Sequence, residues 1–269
     1  MRKLARKLKR ALGFPPLGNP PYDKPVDWQK PYETLRAKWV EIPTENFEIK
    51  NTTELLALSD DALLAKWEQT RAFETRAVSG FAHKGWIHEL YGEWMRGRKL
   101  MDVGSGFGVD GITYAQQGAK VTFVDLAETN LKVLQRLCKI LGLQDVQFHQ
   151  LKDLDSLRAL DADYDVIMAM GSLHNAPVEV MKPEYQELLR HLKIGGRWLQ
   201  LAYPKVRWER DGSLPFDKWG DLVERAPWEE WYDVPKLLSM FYPAKFDVVL
   251  YFEFYNGDFN WFDLVYRGN

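Results

Sequence analysis

The stretch KLMDVGSGFGVDG, Lys99 to Gly111, constrains the fold more than any other part of the chain. Four glycines fall within eight positions directly after an apolar run. Glycine tolerates left-handed backbone and lets main chain come close to another group. At a strand-to-helix turn, such a run brings backbone up to a ligand. The surrounding pattern supports that placement. KLMDVG is a short buried strand, and VDGITYAQQG is a helix closed by Gly118. AKVTFVDL is a second strand, followed by AETNLKVLQRLCKILG as a helix closed by Gly142. DVQFHQL and DYDVIMAMG are a third and fourth strand, PEYQELLRHLKIG a helix, and GRWLQLAYP a fifth strand. Strands alternating with helices pair in parallel through right-handed crossovers, giving a doubly wound α/β sheet. The end departs from this alternation: AKFDVVLYFEFY, the turn NGD and FNWFDLVYRG read as an antiparallel hairpin.

The rest of the 269 residues divides by composition. Residues 1–13, MRKLARKLKRALG, read as a basic amphipathic helix with Leu4, Leu8 and Leu12 on one side. Such a helix suits either an anionic membrane surface or a solvated tail. It lacks the apolar centre of a signal peptide, and no stretch approaches the ~20 apolar residues of a transmembrane helix. Residues 14–51 open on a proline- and aromatic-rich run and read as an extended segment. Residues 52–97 read as helices, and 98–269 as the alternating core. A net charge of -2 excludes nucleic-acid binding driven by overall charge. The single cysteine, Cys138, excludes an intramolecular disulfide and suits a reducing, cytoplasmic location. No His, Cys, Asp and Glu set has a metal-ligand spacing.

Two registers of the glycine loop compete. A dinucleotide fingerprint G-x-G-x-x-G fails from Gly104, because Val109 stands at its third position. Gly106, Gly108 and Gly111 match it, but two residues further from the strand end. At the strand end stands Asp102-Val-Gly104-Ser105-Gly106-Phe-Gly108, which resembles the D-x-G-x-G-x-G loop of the class I S-adenosylmethionine-dependent methyltransferases. The closing hairpin, which dinucleotide domains usually lack, favours that family. The resemblance covers about Lys99 to Asn269. It implies a mostly parallel seven-stranded sheet with a C-terminal antiparallel hairpin, and a lid formed by the N-terminal helices.

The resemblance also implies site residues. The cofactor, S-adenosyl-L-methionine, would lie on Gly104, Ser105, Gly106 and Gly108, with Asp102 near its ammonium. Asp125, 21 residues after Gly104 at the end of the second strand, would accept the ribose hydroxyls, with Leu126 beside it. Asp153 and the backbone of Leu154 would meet the adenine, and Met170 would line the pocket. The loop GSLHNAP after the fourth strand would border the transferring methyl. His174 there is the candidate general base for a hydroxyl acceptor. The family's N-methylating pattern, Asn/Asp-Pro-Pro-Tyr, is missing from this position. Residues 203–235 form a long aromatic insertion, in which Trp208, Arg207 and Tyr203 are candidate acceptor contacts, joined by His83 and Trp86 of the lid. The expected activity is O-methylation of a small molecule or a glycan hydroxyl. The basic N-terminus and the aromatic insertion favour a sugar or surface-polysaccharide acceptor. A phenolic, quinone-like or other secondary metabolite is the second reading, and a non-catalytic cofactor-binding regulator or scaffold the third.

Overall fold

A computed structural model describes residues 31–78, 81–82, 84–223 and 225–269. The basic segment 1–13, the proline-rich run up to residue 30 and His83 lie outside the described residues. The core is one sheet of seven strands: β5 (Lys99–Val103), β6 (Lys120–Asp125), β7 (Val146–Gln150), β8 (Tyr164–Met170), β9 (Leu192–Ala202), β10 (Lys245–Phe254) and β11 (Phe259–Gly268). Their spatial order is β10-β11-β9-β8-β5-β6-β7. The first five pair in parallel, and β11 runs antiparallel to both β9 and β10. The doubly wound sheet with its terminal hairpin is therefore as expected.

Alternate side chains of each central strand feed two cores. Met101, Val103, Val124, Ile167 and Trp198 face one side, against Tyr185, Leu188 and Phe241. Leu100, Val121, Phe123, Val166 and Leu199 face the other, against Ile112, Leu134, Leu137 and Trp67. Burial on both faces explains why these strands read as near-continuous apolar runs. The crossover helices are α5 (Val109–Gln116), α6 (Glu128–Ile140), the short α7 (Leu154–Leu157) and α8 (Val178–Leu189). Helix α8 begins five residues before the expected start at Pro183. Pro183 is the sixth residue of the helix, past the first turn, so it removes one intrahelical bond, while Met181 is buried against the core.

The N-terminal part differs more. Helix α1 (Pro31–Lys38) occupies the end of the segment expected to be extended. A proline opens it, Glu33 stands in its first turn, and Arg36 and Lys38 in its last, all favourable to a helix. A two-stranded ladder, β1 (Glu41–Pro43) with β2 (Ile49–Asn51), follows. The expected single helical run then splits into α2 (Thr52–Ala57) and α3 (Asp60–Thr75), capped by the side chains of Asn51 and Ser59. A small β3–β4 ladder (Ala77–Val78 with Phe81–Ala82) precedes α4 (Gly85–Met95). No helix among the described residues is long and apolar enough to cross a membrane.

Candidate functional site

At the carboxyl ends of β5, β6 and β8 lies a pocket with about 1000 Å³ of empty space, its open mouth included. Ligands of doubly wound sheets sit at this edge. The loop after β5 forms its floor, with Gly104, Gly106 and Gly108 at φ +70, +52 and +72. These glycines are not equivalent. A Cβ on Gly104 would lie 2.3 Å from Ser172 Cβ, and one on Gly108 2.2 Å from Leu134. Gly111 is tight for a third reason, since its Cβ would lie 2.5 Å from Asp102 Oδ2. Of these four glycines, Gly106 alone has a Cβ position with nothing within 4 Å. Gly104, Gly108 and Gly111 are therefore required by packing within the protein, whereas Gly106 faces the open pocket.

Asp125 stands beside that opening at the end of β6. Its Oδ2 accepts from the Gly106 amide at 3.1 Å, and its Oδ1 from the Ala127 amide at 2.8 Å and from Asn130 Nδ2 at 3.0 Å. Burial pushes its pKa up to about 6, against these donors. Ser105, Leu126 and Met170 line the pocket as expected. Asp102 does not: it is buried beneath α5, raised well above the usual range by burial and then by the neighbouring Asp110. Asp153 is diverted too. Its carboxylate accepts from the Ser156 amide at 2.8 Å, capping α7, whose first residue is Leu154. The pocket wall there is Leu151 instead.

Three contributions were invisible in the sequence. Helix α1 lies across the top with Leu35 in the wall, joined by Trp39 just after its end. Arg36 ties it down, donating to the carbonyls of Leu126 at 3.1 Å and Lys152 at 2.9 Å. At one end Lys84 Nζ stands 3.0 Å from Glu74 and 3.8 Å from Asp110, which is 2.7 Å from His88 Nε2. Lys84, Glu74 and Asp110 all line the pocket. From α8, Met181 and Glu184 complete the wall, one helical turn apart.

The candidate acceptor residues sit elsewhere. His174 is fully buried, with Nδ1 3.2 Å from Glu229 Oε1 and its ring 4.8 Å from that of Tyr203. Its neighbour Asn175 is the residue that lines the pocket, its amide donating to Glu229 Oε2 at 3.1 Å. Among the described residues, no imidazole forms the pocket wall, so the expected exposed base is not found there. Trp208 donates its indole N–H to the Leu214 carbonyl at 2.8 Å and packs on Phe216 and Trp231. Arg207 lies over the Tyr203 ring and donates to the Asp258 carbonyl. These three expected acceptor contacts are thus brought together, but as packing of the insertion on itself and on the β10–β11 turn, and none of them lines the pocket. Trp86 meets Phe252, Phe254 and Trp261 edge-on, fastening α4 to the β10–β11 hairpin.

Comparison with known proteins agrees with this fold. Residues 100–196 match the family model described as methyltransferase domain. The ubiquinone biosynthesis O-methyltransferase of Bordetella avium is 31% identical over 120 residues, covering 43% of this chain and 48% of that protein. The corresponding protein of Paracidovorax citrulli is 33% identical over 93 residues, covering 35% of this chain and 38% of its own. The chain thus spans less than half the length of these curated relatives. A solved magnesium protoporphyrin IX methyltransferase from Synechocystis aligns over 100% of both chains, with 16% identity and a TM-score of 0.50, a likeness of fold. The chain carries a class I S-adenosylmethionine-dependent methyltransferase domain of Rossmann-like fold. The cofactor of that class is S-adenosyl-L-methionine.

Proposed function

We propose that the protein transfers the methyl group of S-adenosylmethionine to a hydroxyl oxygen of a small molecule, with a phenolic or quinone-like compound as acceptor. The observation that carries the cofactor reading is the open backbone at Gly106 beside the buried carboxyl of Asp125. A bound cofactor supplies an electrophilic methyl on a positively charged sulfur. Asp125 accepts the ribose hydroxyls, and the Ser105–Gly106 backbone lies along the methionine portion. Lys84, with Glu74 and Asp110, matches the two opposite charges of an amino-acid end. Ser172, Leu173 and Asn175 border the acceptor and hold its oxygen in line, a positioning effect worth up to ~7–11 kcal/mol.

Two observations favour the phenolic reading over the glycan one. The curated relatives that align are named ubiquinone biosynthesis O-methyltransferases. A phenol also ionises near ~10, so it needs less help from a base than a sugar hydroxyl does, and the described pocket wall has no imidazole. Of the features that pointed to polysaccharide, Trp208 and Arg207 are engaged by the carbonyls of Leu214 and Asp258, and the basic N-terminus lies outside the described residues.

Calorimetric titration with S-adenosylhomocysteine, followed by mass-spectrometric detection of methyl transfer into panels of phenols and glycans, tests the proposal. Cofactor binding with transfer into phenols is expected. Binding without transfer into any acceptor would favour a regulator or scaffold, and transfer into glycans alone would overturn the acceptor class. Asp125→Ala is expected to weaken product binding by about 1.5–3 kcal/mol, the range for hydrogen bonds to a charged group. An unchanged affinity would remove Asp125 from the ribose role.

A further inference from the structure

Glu184 is a carboxyl that neither the fold nor the roles above account for. It sits in the middle of α8, only 5% exposed, yet forms part of the pocket wall. Its Oε2 accepts a hydrogen bond of 3.1 Å from the Tyr32 hydroxyl on α1. Among the described residues it has no cationic partner within salt-bridge distance. A buried carboxyl that is neither paired with a cation nor fully hydrogen-bonded costs folding free energy, and it calls for a donor from the space it faces. Burial pushes its pKa up to about 7, so at pH 8 the group is mainly ionised and acts as an acceptor.

Its place along the pocket indicates which donor. Lys84, Glu74 and Asp110 occupy one end, the glycine loop follows, and Asp125 closes β6. Beyond Asp125 come Leu126 and then Leu151 after β7, the next strand outward. Arg36 fixes α1 to the carbonyls of Leu126 and Lys152 at this end. Tyr32 lies one turn earlier on the same helix, close enough to Asp153 to feel its charge. The Tyr32–Glu184 pair therefore belongs to the β7 end. A nucleoside with its ribose on Asp125 and its tail along the glycines puts its base here, among the apolar walls of Leu35, Leu126, Leu151 and Met181.

We propose that Glu184, held by Tyr32, reads the amino edge of the cofactor's adenine, in place of the Asp153 that caps α7. Adenine offers an amine donor next to a ring-nitrogen acceptor. With Oε2 held by the Tyr32 hydroxyl, the other oxygen of the ionised carboxyl accepts from the amine. A hypoxanthine base presents a carbonyl where adenine has the amine, which sets it against the ionised carboxylate, acceptor against acceptor in a buried site. The inference rests on the cofactor reading above and adds to it a residue that selects the base.

The test is calorimetry at pH 8, where the carboxyl is ionised, with S-adenosylhomocysteine and its deaminated counterpart, S-inosylhomocysteine, on wild type, Glu184→Leu and Tyr32→Phe. Wild type is expected to prefer the adenosyl compound by on the order of 10-fold or more, since a buried polar site rejects an analogue that leaves it mismatched. In Glu184→Leu, with its fold checked by circular dichroism, the two affinities should converge to within about threefold. Tyr32→Phe, which leaves the carboxyl in place but unheld, should narrow the preference part of the way and provides the test if Glu184→Leu does not fold. An unchanged preference in both variants would overturn the inference while leaving the cofactor reading intact. Unchanged affinities with lost turnover would also overturn it, placing the carboxyl at the acceptor instead. Wild type that binds neither compound would overturn the cofactor reading and this inference with it.

Discussion

At the scale of single residues, Gly104 and Gly106 look alike in sequence and differ in what a methyl group would meet. Gly104→Ala forces a Cβ into Ser172 at a left-handed φ and should destabilise the fold by more than the ~1–2 kcal/mol of left-handed strain alone. Gly106→Ala carries only that strain, because its Cβ points into open space. It should stay folded and lose product affinity. Thermal unfolding and calorimetry on the two variants check this contrast, and equal stability losses would contradict the division of roles. His174 belongs to the same scale. Sequence position put it on the loop after the fourth strand, where it lies, but could not show that its ring turns inward to Glu229. His174→Ala removes a polar neighbour of a buried carboxylate and should cost about 1–3 kcal/mol of stability. A variant that instead keeps its stability but loses roughly 10²–10⁴ in turnover, with the acid limb of the pH profile gone, would restore the general-base role. Asp125 was legible because a strand end fixes where a side chain goes. Asp153 was misread because the same carboxylate also suits a helix N-cap, and the cap won locally.

At the scale of elements, the core was legible wherever periodicity and burial coincide: five strands, their helices and the closing hairpin. Helix α1 was not, because its eight residues follow a proline-rich run and bury few side chains. What holds it is long-range: Leu35 in the core and Arg36 on carbonyls about 90 and 116 positions away. No local pattern encodes such contacts. Glu184 was missed for a related reason, since starting α8 at Pro183 hid its spacing from Met181. The strap formed by α1 makes a prediction of its own. Arg36→Ala removes the bonds that close it over the β7 end of the pocket, while the sheet remains untouched. Dissociation of S-adenosylhomocysteine, followed by stopped-flow fluorescence, should quicken by on the order of tenfold, the equivalent of about one hydrogen bond to a charged group. An unchanged off-rate would show that α1 does not cover the bound ligand.

At the scale of the whole molecule, the buried acids set how stability varies with pH. Burial pushes Asp125 up to about 6 and Glu184 up to about 7, with Glu230 also near 7 despite Lys236, and Asp102 well above its usual range. For each of these the folded state holds its proton more tightly than the unfolded chain does. For Asp125, Glu184 and Glu230 that stabilising protonation is complete below the unfolded values of ~4 and is lost as pH rises through about 6 to 7. For Asp125 and Glu184 the loss approaches roughly 3 kcal/mol each above pH 7. His149 opposes them: burial lowers its pKa, so its protonation below ~6.5 disfavours the fold. Glu45 and Asp165 act lower still. Burial works against them, but Lys66 for the first and the Lys99 amide for the second hold them below the usual range. Their contribution is lost only as pH falls through those depressed values. The cofactor-free protein should therefore gain stability on mild acidification. Its melting temperature should rise by on the order of 5 °C between pH 8 and pH 5.5, given ~2–4 °C per kcal/mol for a chain of this size. Glu184→Leu should melt higher than wild type at pH 8 and show a flatter slope, because it removes one of the acids that ionise at a cost. A wild-type melting temperature that stays level or falls over that interval would mean that these carboxyls are better solvated than their burial indicates.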